Sequence, residues 1–255
     1  MYDQYFNLYD VNLFIGCPSV KGTSTPISSA FELLRELDEH SIKKALVWHI
    51  AQHDVSPVIG NELLSKAVAE SERLLGCWTI LPPQTGEVIN ESFFLDMKKN
   101  RIFALRVFPR SHNFLLNYTV FGDFLNEISN RKIPLLLSLE RGIQWQDIYN
   151  LLKDFPRLTC ILCDIGIWGV DRYTWPLLES YPNLYLETSL LSLEAGGIEA
   201  VVRKFGAERL LFGSGFPERY FEASILQLLH SEISESDKEK IASQNLERLI
   251  EEVML

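Results

Sequence analysis

The 255-residue sequence is poor in cysteine and in positive charge, and it has no long apolar run. Four cysteines are too few for a disulfide-framed domain, and they lie in or beside apolar runs, which favours reduced core thiols. Lys and Arg number 24 against 34 Asp and Glu, so a net charge of −10 argues against a nucleic-acid partner. No window approaches the roughly 20 apolar residues of a membrane span, and the N-terminus lacks signal-peptide features. We therefore expect a cytoplasmic protein without a membrane partner.

Several common motifs are missing as well. Neither Glu194–Gly197 nor Phe212–Gly215 has the spacing of a phosphate-binding or dinucleotide-binding loop. There is no Gly-x-Ser-x-Gly nucleophile elbow. Cys160 and Cys163 form a CxxC, but residues i and i+3 of a strand point to opposite faces, so core packing is favoured over a redox or zinc site.

Short apolar runs alternate with amphipathic segments along the whole chain. Hydrophobic residues make up 47% of the sequence and charged residues 23%, which is the composition of a packed globular protein. The apolar runs predict eight strands: Tyr9–Ile15, Ala45–His49, Cys77–Leu81, Phe103–Phe108, Leu135–Leu139, Thr159–Cys163, Leu184–Leu186 and Leu210–Phe212. The amphipathic segments predict the helices: Ser28–Glu39, Asn61–Leu75, Glu91–Lys99, Val120–Arg131, Trp145–Phe155, Tyr173–Tyr181, Gly197–Phe205 and a tail from Phe221 to Val253.

Eight strand–helix units predict parallel strands in an α/β fold, a (β/α)8 TIM barrel of the usual size of about 250 residues. An open, doubly wound sheet is the alternative. No linker, repeat or low-complexity tract divides the chain, so residues 1–255 are predicted to form a single domain. Ser234–Asp237 has the spacing of a helix start, and the apolar stripe that follows it is expected to close the barrel: Ile241, Leu246, Leu249 and Ile250.

The run Arg209–Pro217 reads Arg-Leu-Leu-Phe-Gly-Ser-Gly-Phe-Pro and resembles the last barrel strand of the amidohydrolase family, in its branch of small amidohydrolase-2-type barrels. Other segments are similar to the family's motifs in the same order: Arg106–Pro109, Ile133–Ser138, Arg157–Gly166, Tyr181–Ser189, and Asn245 with Leu249. The resemblance spans nearly the whole chain. It implies an amidohydrolase-like hydrolase or decarboxylase that acts on a small carboxylate-bearing amide or lactone.

The resemblance also implies that the metal site is degenerate. The family holds its metal with four His and one Asp, and none of these five residues is retained. Their positions fall on Asn12, Phe14, Ser138, Asp164 and Gly215. A zinc or manganese site needs about three or four converging N, O or S ligands. The ring of Phe14 and the missing side chain of Gly215 indicate a refilled interior. We therefore expect metal-independent chemistry with no metal ligands and no cofactor.

Barrel enzymes carry their chemistry at the carboxyl ends of the strands. The polar residues predicted there are Asn12, His49, His53, Asp54, Arg106, His112, Glu140, Arg141, Asp164, Glu187 and Ser214. Glu140 and Asp164 are the candidate catalytic acid and base, because two carboxylates in unlike surroundings can divide these roles. The alternative is a structural ion network in which each pairs with Arg106 or Arg141.

His49 and His53 are further catalytic candidates near the end of the second strand. A relocated metal site and solvated loop histidines are the alternatives, since helical i,i+4 spacing does not apply to a loop. Arg106 is the main candidate for holding a substrate carboxylate, with pairing to Glu140 or Glu187 as its structural alternative.

Asn12, Glu187, Ser214 and Trp168 are the remaining candidates for substrate binding, although an aromatic residue such as Trp168 more often packs in a core. The expected partner is a small carboxylate, and self-association into a homo-oligomer is left open. The alternative function is a non-catalytic barrel for ligand binding or assembly. An open mouth pocket would favour the enzyme if four side chains converge there: Asn12, Arg106, Glu140 and Asp164. A mouth plugged by Phe14, Phe108 and Trp168 would favour the second function.

Overall fold

A computed structural model describes residues 6–19, 26–165, 169–191 and 196–255. Eight parallel strands follow one another in chain order within one sheet. They are β1 (Leu8–Ile15), β2 (Ile42–His49), β3 (Leu74–Thr79), β4 (Ile102–Arg106), β5 (Leu135–Ser138), β6 (Cys160–Cys163), β7 (Leu184–Glu187) and β8 (Leu210–Leu211). Val11 N donates to Phe212 O and Gly215 N to Asn12 O, both at 3.0 Å, so the sheet returns to its first strand. The predicted (β/α)8 barrel is confirmed.

Helices follow the strands and cover the outside of the barrel. They are α1 (Ala30–Glu39), α2 (Ala51–Asp54), α3 (Pro57–Val68), α4 (Phe93–Lys99), α5 (Tyr118–Asn130), α6 (Trp145–Asp154), α7 (Asp171–Ser180), α8 (Gly197–Phe205), α9 (Phe221–His230), α10 (Glu235–Glu239) and α11 (Asn245–Glu251). Ser234 caps α10 by accepting a hydrogen bond from Asp237 N, as its spacing predicts. None of the described helices is long and apolar enough to cross a membrane.

Several boundaries differ from the sequence prediction, and the largest shift lies between α3 and β3. The helix predicted over Asn61–Leu75 ends at Val68, and Leu74 opens β3 instead. Leu74 and its neighbour pair with β2, so the inter-strand ladder overrides the helical periodicity of this apolar segment. His53 was expected in a loop, but it lies in the single turn of α2.

Alternation along each strand separates two apolar layers. Cys163 packs inside the barrel, whereas Cys160 faces the surrounding helices, so the prediction that the CxxC spans both faces is confirmed. All four cysteines are free thiols, but Cys17 is exposed, and the expectation that it is a core thiol is wrong. Leu246 and Leu249 of α11 join the interior cluster and close the amino end of the barrel, as predicted.

Candidate active site

Polar side chains from five strands converge at the carboxyl end of the barrel. Ser138 and Glu187 are the last residues of β5 and β7, Asp164 follows β6, and Ser214 lies in the loop after β8. Asn12 reaches the same place from β1. Parallel strands of a barrel all end at one rim, so the fold brings these distant residues together.

Asp164 lies at the centre of this cluster. It accepts hydrogen bonds from Asn12 Nδ2 at 3.1 Å, from Ser138 Oγ, and from Arg219 Nη1 at 3.1 Å. Its φ of 54° is in the left-handed region, which costs a non-glycine residue about 1–2 kcal/mol. Such strain is found most often at functional positions, where the surrounding structure holds it in place.

Glu187 lies next to Asp164 and is fully buried. Its Oε2 accepts from Ser189 Oγ at 2.9 Å, and from Asn12 Nδ2 and Asp164 N at 3.3 Å. Burial, and next the negative charge of Asp164, raise the pKa of Glu187 to about 8. Glu187 is therefore largely protonated at neutral pH, which makes it the proton-carrying carboxyl of the cluster.

Asp10 is a further buried carboxyl, next to Asn12 and Ser214. Its Oδ1 accepts from Asn12 N at 2.9 Å and from Ser214 N at 3.2 Å. Burial raises the pKa of Asp10 to about 6, against the opposing effect of its hydrogen bonds to Ser214 and Asn12.

Arg106 is completely buried inside the barrel. Its Nη2 donates to Asn12 Oδ1 at 2.7 Å, and its guanidinium stacks on Trp48 with 4.7 Å to the ring centroid. Nε and Nη1 make no conventional hydrogen bond within the described residues, although the Cys77 and Cys163 thiols flank the group. Arg106 pairs with neither Glu140 nor Glu187, the two carboxylates expected as its partners, and it does not line the mouth cavity, so its contact with a ligand stays a prediction.

Two ion pairs cross the mouth between the loops that follow β5 and β8. Arg219 Nη2 lies 2.6 Å from Glu140 Oε2, and Arg141 Nη2 lies 2.5 Å from Glu218 Oε2. Burial alone would lower the pKa of Arg219. The carboxylates of Asp164 and Glu140 outweigh this effect of burial and raise the pKa, so the guanidinium stays charged. Glu140 is therefore an exposed partner of Arg219, and its catalytic role stays a prediction.

The opening beneath these ion pairs is small. Its cavity of about 10 Å³ is lined by Asn12, Phe14, Trp48, Arg141, Asp164, Gly215, Glu218 and Arg219. The rings of Phe14 and Trp48 have centroids 5.0 Å apart, and those of Trp48 and Phe108 are 5.5 Å apart. Larger hollows of about 620 and 290 Å³ lie on the flank of the barrel, beside α5 and between α3 and α4. In this conformation aromatic rings and ion pairs fill the mouth.

The two candidate histidines lie apart from Asp164 on the same rim. His49 Nδ1 accepts from Ala51 N at 3.1 Å, and burial lowers the pKa of His49, which favours the neutral ring. His53 instead contacts Asp54, Ser111 and Phe108. Neither joins the central cluster by a hydrogen bond, so their catalytic roles stay predictions. Trp168 lies outside the described residues.

The positions that the resemblance assigns to metal ligands do not fit a divalent cation. Of the donors left there, Asp164 already accepts from Asn12, Ser138 and the Arg219 guanidinium. A side-chain Cβ at Gly215, where φ is +70°, would lie 2.5 Å from Arg219 Nη1, so Arg219 occupies the space that a side chain at this position would need. Within the described parts of the chain, no three His, Cys, Asp or Glu side chains are grouped to hold a metal. Because the Arg219 guanidinium is part of this group, its chemistry suits an anion better than a cation.

The sequence prediction missed Arg219, Trp48 and Ser111. Arg219 and Ser111 lie in loops after β8 and β4, where barrel enzymes carry functional groups, so their position was the available signal. Trp48 lies near the end of β2 and reads from sequence as an ordinary core aromatic. Only the fold places its ring against Arg106 and Phe108.

Comparison with known proteins places this site in context. No curated protein sequence matches the chain. A model of the family described as Amidohydrolase matches residues 140–251. A dihydroxybenzoic acid decarboxylase from Polaromonas sp. JS666, solved with bound manganese and an inhibitor, is 17% identical with a TM-score of 0.74, over 96% of this chain and 97% of its own.

Two further solved structures share the fold. A probable 2-pyrone-4,6-dicarboxylic acid hydrolase from Acinetobacter baumannii, with citric acid bound, is 13% identical with a TM-score of 0.75, over 96% of this chain and 99% of its own. A putative amidohydrolase from Staphylococcus aureus is 11% identical with a TM-score of 0.74, over 96% of this chain and 99% of its own. The family match over residues 140–251 agrees with the resemblance of the strand motifs in the second half of the chain, and the solved structures show that the chain has the same TIM-barrel fold.

Proposed function

We propose that the protein is an amidohydrolase-like hydrolase that acts, without a metal ion, on a small carboxylate-bearing amide or lactone. The observation that carries this proposal is the mouth cavity of about 10 Å³ beside Asp164, Arg141 and Arg219. That volume corresponds to about one water molecule. A water held there lies between a carboxylate that can accept its proton and two guanidinium groups that attract an anionic substrate.

The substrate's carboxylate binds by exchange of ion-pair partners. In the structure, Glu140 forms an ion pair with Arg219 and Glu218 forms one with Arg141. Partly exposed pairs of this kind are worth only about 0–1 kcal/mol, so an incoming carboxylate can displace them at little cost. Their release also widens the opening, because the two loops that they join lie across it.

Asp164 is the general base and Glu187 the general acid of this mechanism. Asp164 takes a proton from the water as it attacks the carbonyl, and the leaving group needs a proton in return. Glu187 holds one at neutral pH, since its pKa is about 8. Asn12 Nδ2 lies 3.1 Å from Asp164 Oδ1 and 3.3 Å from Glu187 Oε2, so one amide orients both carboxyl groups.

Decarboxylation is the second reaction of this class, and one of the similar structures is a dihydroxybenzoic acid decarboxylase. A protonated Glu187 could supply the proton that replaces the lost carboxylate. A non-catalytic, ligand-binding barrel is the alternative function. It is favoured by the rings of Phe14, Trp48 and Phe108, which fill the mouth.

The test is a screen of small lactones, amides and aromatic acids that carry a carboxylate, with protein dialysed against a chelator. Mass spectrometry detects hydrolysis, and trapped CO2 detects decarboxylation. Arg219→Ala should weaken binding about ten- to a hundredfold, because it removes a charge-assisted contact. Arg219→Lys should recover only part of the loss, since lysine lacks the forked donors. Asp164→Asn should lower kcat by about 10²- to 10⁴-fold.

Arg157→Ala is the matched control, because Arg157 is exposed and precedes β6 at the opposite end of the barrel. Its variant should behave like the parent. If activity disappears on chelation and returns with zinc or manganese, the metal-independent mechanism is wrong. If a carboxylate binds through Arg219 but no compound is turned over, the non-catalytic alternative takes the place of this proposal.

A further inference from the structure

A second polar group lies on the same rim, outside the Asp164 cluster. His53 Nδ1 is 2.6 Å from Asp54 Oδ1, and His53 Nε2 is 2.8 Å from Ser111 Oγ. His53 and Asp54 belong to α2, which directly follows β2, whereas Ser111 lies in the loop after β4. Both segments leave the carboxyl ends of their strands, the side of a barrel where catalytic groups occur.

The three side chains are ordered as a serine, a base and an orienting carboxylate. With its proton on Nδ1, the His53 ring donates to Asp54 and accepts from the Ser111 hydroxyl, so a single tautomer satisfies both contacts. Such a constellation is recognised by geometry and not by the order of the residues along the chain. This explains why no nucleophile-elbow motif accompanies it.

The base and the carboxylate are held in place by further contacts. Asp54 Oδ2 accepts from Ser19 N at 2.7 Å. Partial burial favours a higher pKa for Asp54, but the hydrogen bonds from Ser19 and His53 outweigh it and lower the pKa, so Asp54 stays anionic. The His53 ring stands edge-on to Phe108, with centroids 4.9 Å apart and an angle of 83°. The His53 side chain is 22% exposed and that of Asp54 11%, whereas Ser111 is open to solvent.

We propose that Ser111 is a nucleophile activated by His53 and Asp54, and that this triad hydrolyses small acyl esters at the rim of the barrel. The site uses none of the residues assigned to the hydrolysis at Asp164. It is separated from them by the rings of Phe108, Trp48 and Phe14, which contact one another in that order. The two activities can therefore fail independently.

Each step balances within the triad and the substrate. Ser111 Oγ forms a bond to the acyl carbon of the ester while its proton passes to His53 Nε2. The ester C–O bond then breaks, and the alcohol leaves with the proton from His53. Water attacks the acyl-serine, His53 takes and returns one proton, and the carboxylic acid departs as Ser111 is restored. Asp54 keeps its charge throughout and stabilises the imidazolium.

Esters fit this site better than amides. An alcohol is a better leaving group than an amine, so an ester needs less stabilisation of the tetrahedral intermediate at a rim that is open to solvent. General-base assistance contributes about 10²- to 10⁴-fold to such a step. Ser111 should therefore react at least about a hundredfold faster than an exposed serine without a histidine neighbour.

The experiment treats the full chain with a fluorophosphonate probe and with p-nitrophenyl acetate, and peptide mass spectrometry maps the modified residue. We expect the label on Ser111, a burst of nitrophenolate, and the loss of both in Ser111→Ala. His53→Gln should slow labelling about a hundredfold or more, and Asp54→Asn at least about tenfold. Ser92→Ala is the matched control, because the exposed Ser92 hydroxyl donates to Asp96 at 2.6 Å. It should leave labelling unchanged.

Labelling of the unaltered protein decides the question even if a variant folds poorly. The absence of a label on Ser111, or labelling no faster than that of Ser92, overturns the proposal. So does labelling of Ser111 that His53→Gln leaves unchanged, with the thermal midpoint of that variant measured alongside. Arg219→Ala should not affect the reaction, which distinguishes this site from the one at Asp164.

Discussion

The two ends of the barrel are closed by different chemistry. At the amino end, Leu246 and Leu249 of α11 pack onto the interior cluster. At the carboxyl end, the buried carboxyl groups of Asp164 and Glu187 lie under two ion pairs that cross the mouth. The apolar contacts at the amino end are non-directional and are lost only when the protein unfolds. In the ion pairs at the carboxyl end, by contrast, a charged group of a ligand can replace one of the two partners.

The difference separates stability from function within one barrel. Burying Glu187 beside Asp164 is unfavourable enough to keep a proton on Glu187 at neutral pH. An apolar pair of similar size would avoid that penalty, as the amino end does. Perturbed carboxyl groups of this kind are more frequent at functional sites, which is why the carboxyl end is the candidate site.

The largest expected effect lies at the apolar end. Leu246→Ala should lower the free energy of unfolding by about 2–5 kcal/mol, because it leaves a cavity in a packed interior. Chemical denaturation measures the change. Leu226→Ala on α9, where the leucine is 43% exposed, is the control and should change stability by less than about 0.5 kcal/mol. Equal effects of the two substitutions would contradict the assignment of α11 as the closing element.

The next effect is the pH dependence that the polar end imposes on stability. The folded-state pKa of Glu187 is raised to about 8 from an ordinary 4.5, so between these values the folded chain binds the proton and the unfolded chain does not. Stability should therefore fall as pH rises through this window, by up to about 1.4 kcal/mol per pH unit from this one group. Asp10, with a pKa raised to about 6 from 3.8, acts in the same direction at lower pH.

Denaturation curves from pH 5 to 8.5 test this expectation. Glu187→Gln should flatten the slope above pH 6, whereas Leu246→Ala should lower the whole curve and keep its slope. The slopes are compared and not the absolute values, because the amide also alters the hydrogen bonds with Ser189 and Asn12. A parent curve that is flat between pH 6 and 8 would show that Glu187 is not protonated in the folded state.

The smallest expected effect on stability comes from the ion pairs. Glu218→Gln should change the free energy of unfolding by no more than about 1 kcal/mol, since the Arg141–Glu218 pair is partly exposed. The same substitution should strengthen the binding of small carboxylates, because it removes the anion that competes for Arg141. Calorimetry at low and at high salt measures the gain, which salt should reduce. Glu252→Gln, which breaks the partly exposed pair with Lys132 away from the mouth, is the control.

The strands were predictable because alternating apolar runs and amphipathic segments report burial directly. Each of the eight predicted runs overlaps a strand, and Leu246 and Leu249 of the predicted closing helix pack onto the barrel interior. The end of α3 was not predictable, because Leu74 pairs with Ala45 of β2, which lies 29 residues earlier in the chain. Local periodicity carries no information on that partner.

The candidate site was predictable in part. The family resemblance predicts replaced metal ligands at Asn12, Phe14 and Gly215, which stays a prediction, and it also drew attention to Asp164, which the fold places in the polar cluster. The arginine beside Asp164 was not predictable, because Arg219 lies 55 residues away along the chain. The expected partner of Arg106 was a carboxylate, and the structure instead provides the amide oxygen of Asn12 and the face of Trp48.

The sequence by itself determined the fold, since hydrophobic periodicity and turn residues are local properties that each segment carries on its own. Only the tertiary structure decided which carboxyl keeps a proton, which guanidinium meets Asp164, and that Ser111 lies against His53. Those outcomes depend on distance and burial, and in a closed barrel both are set by residues that are far apart in the chain.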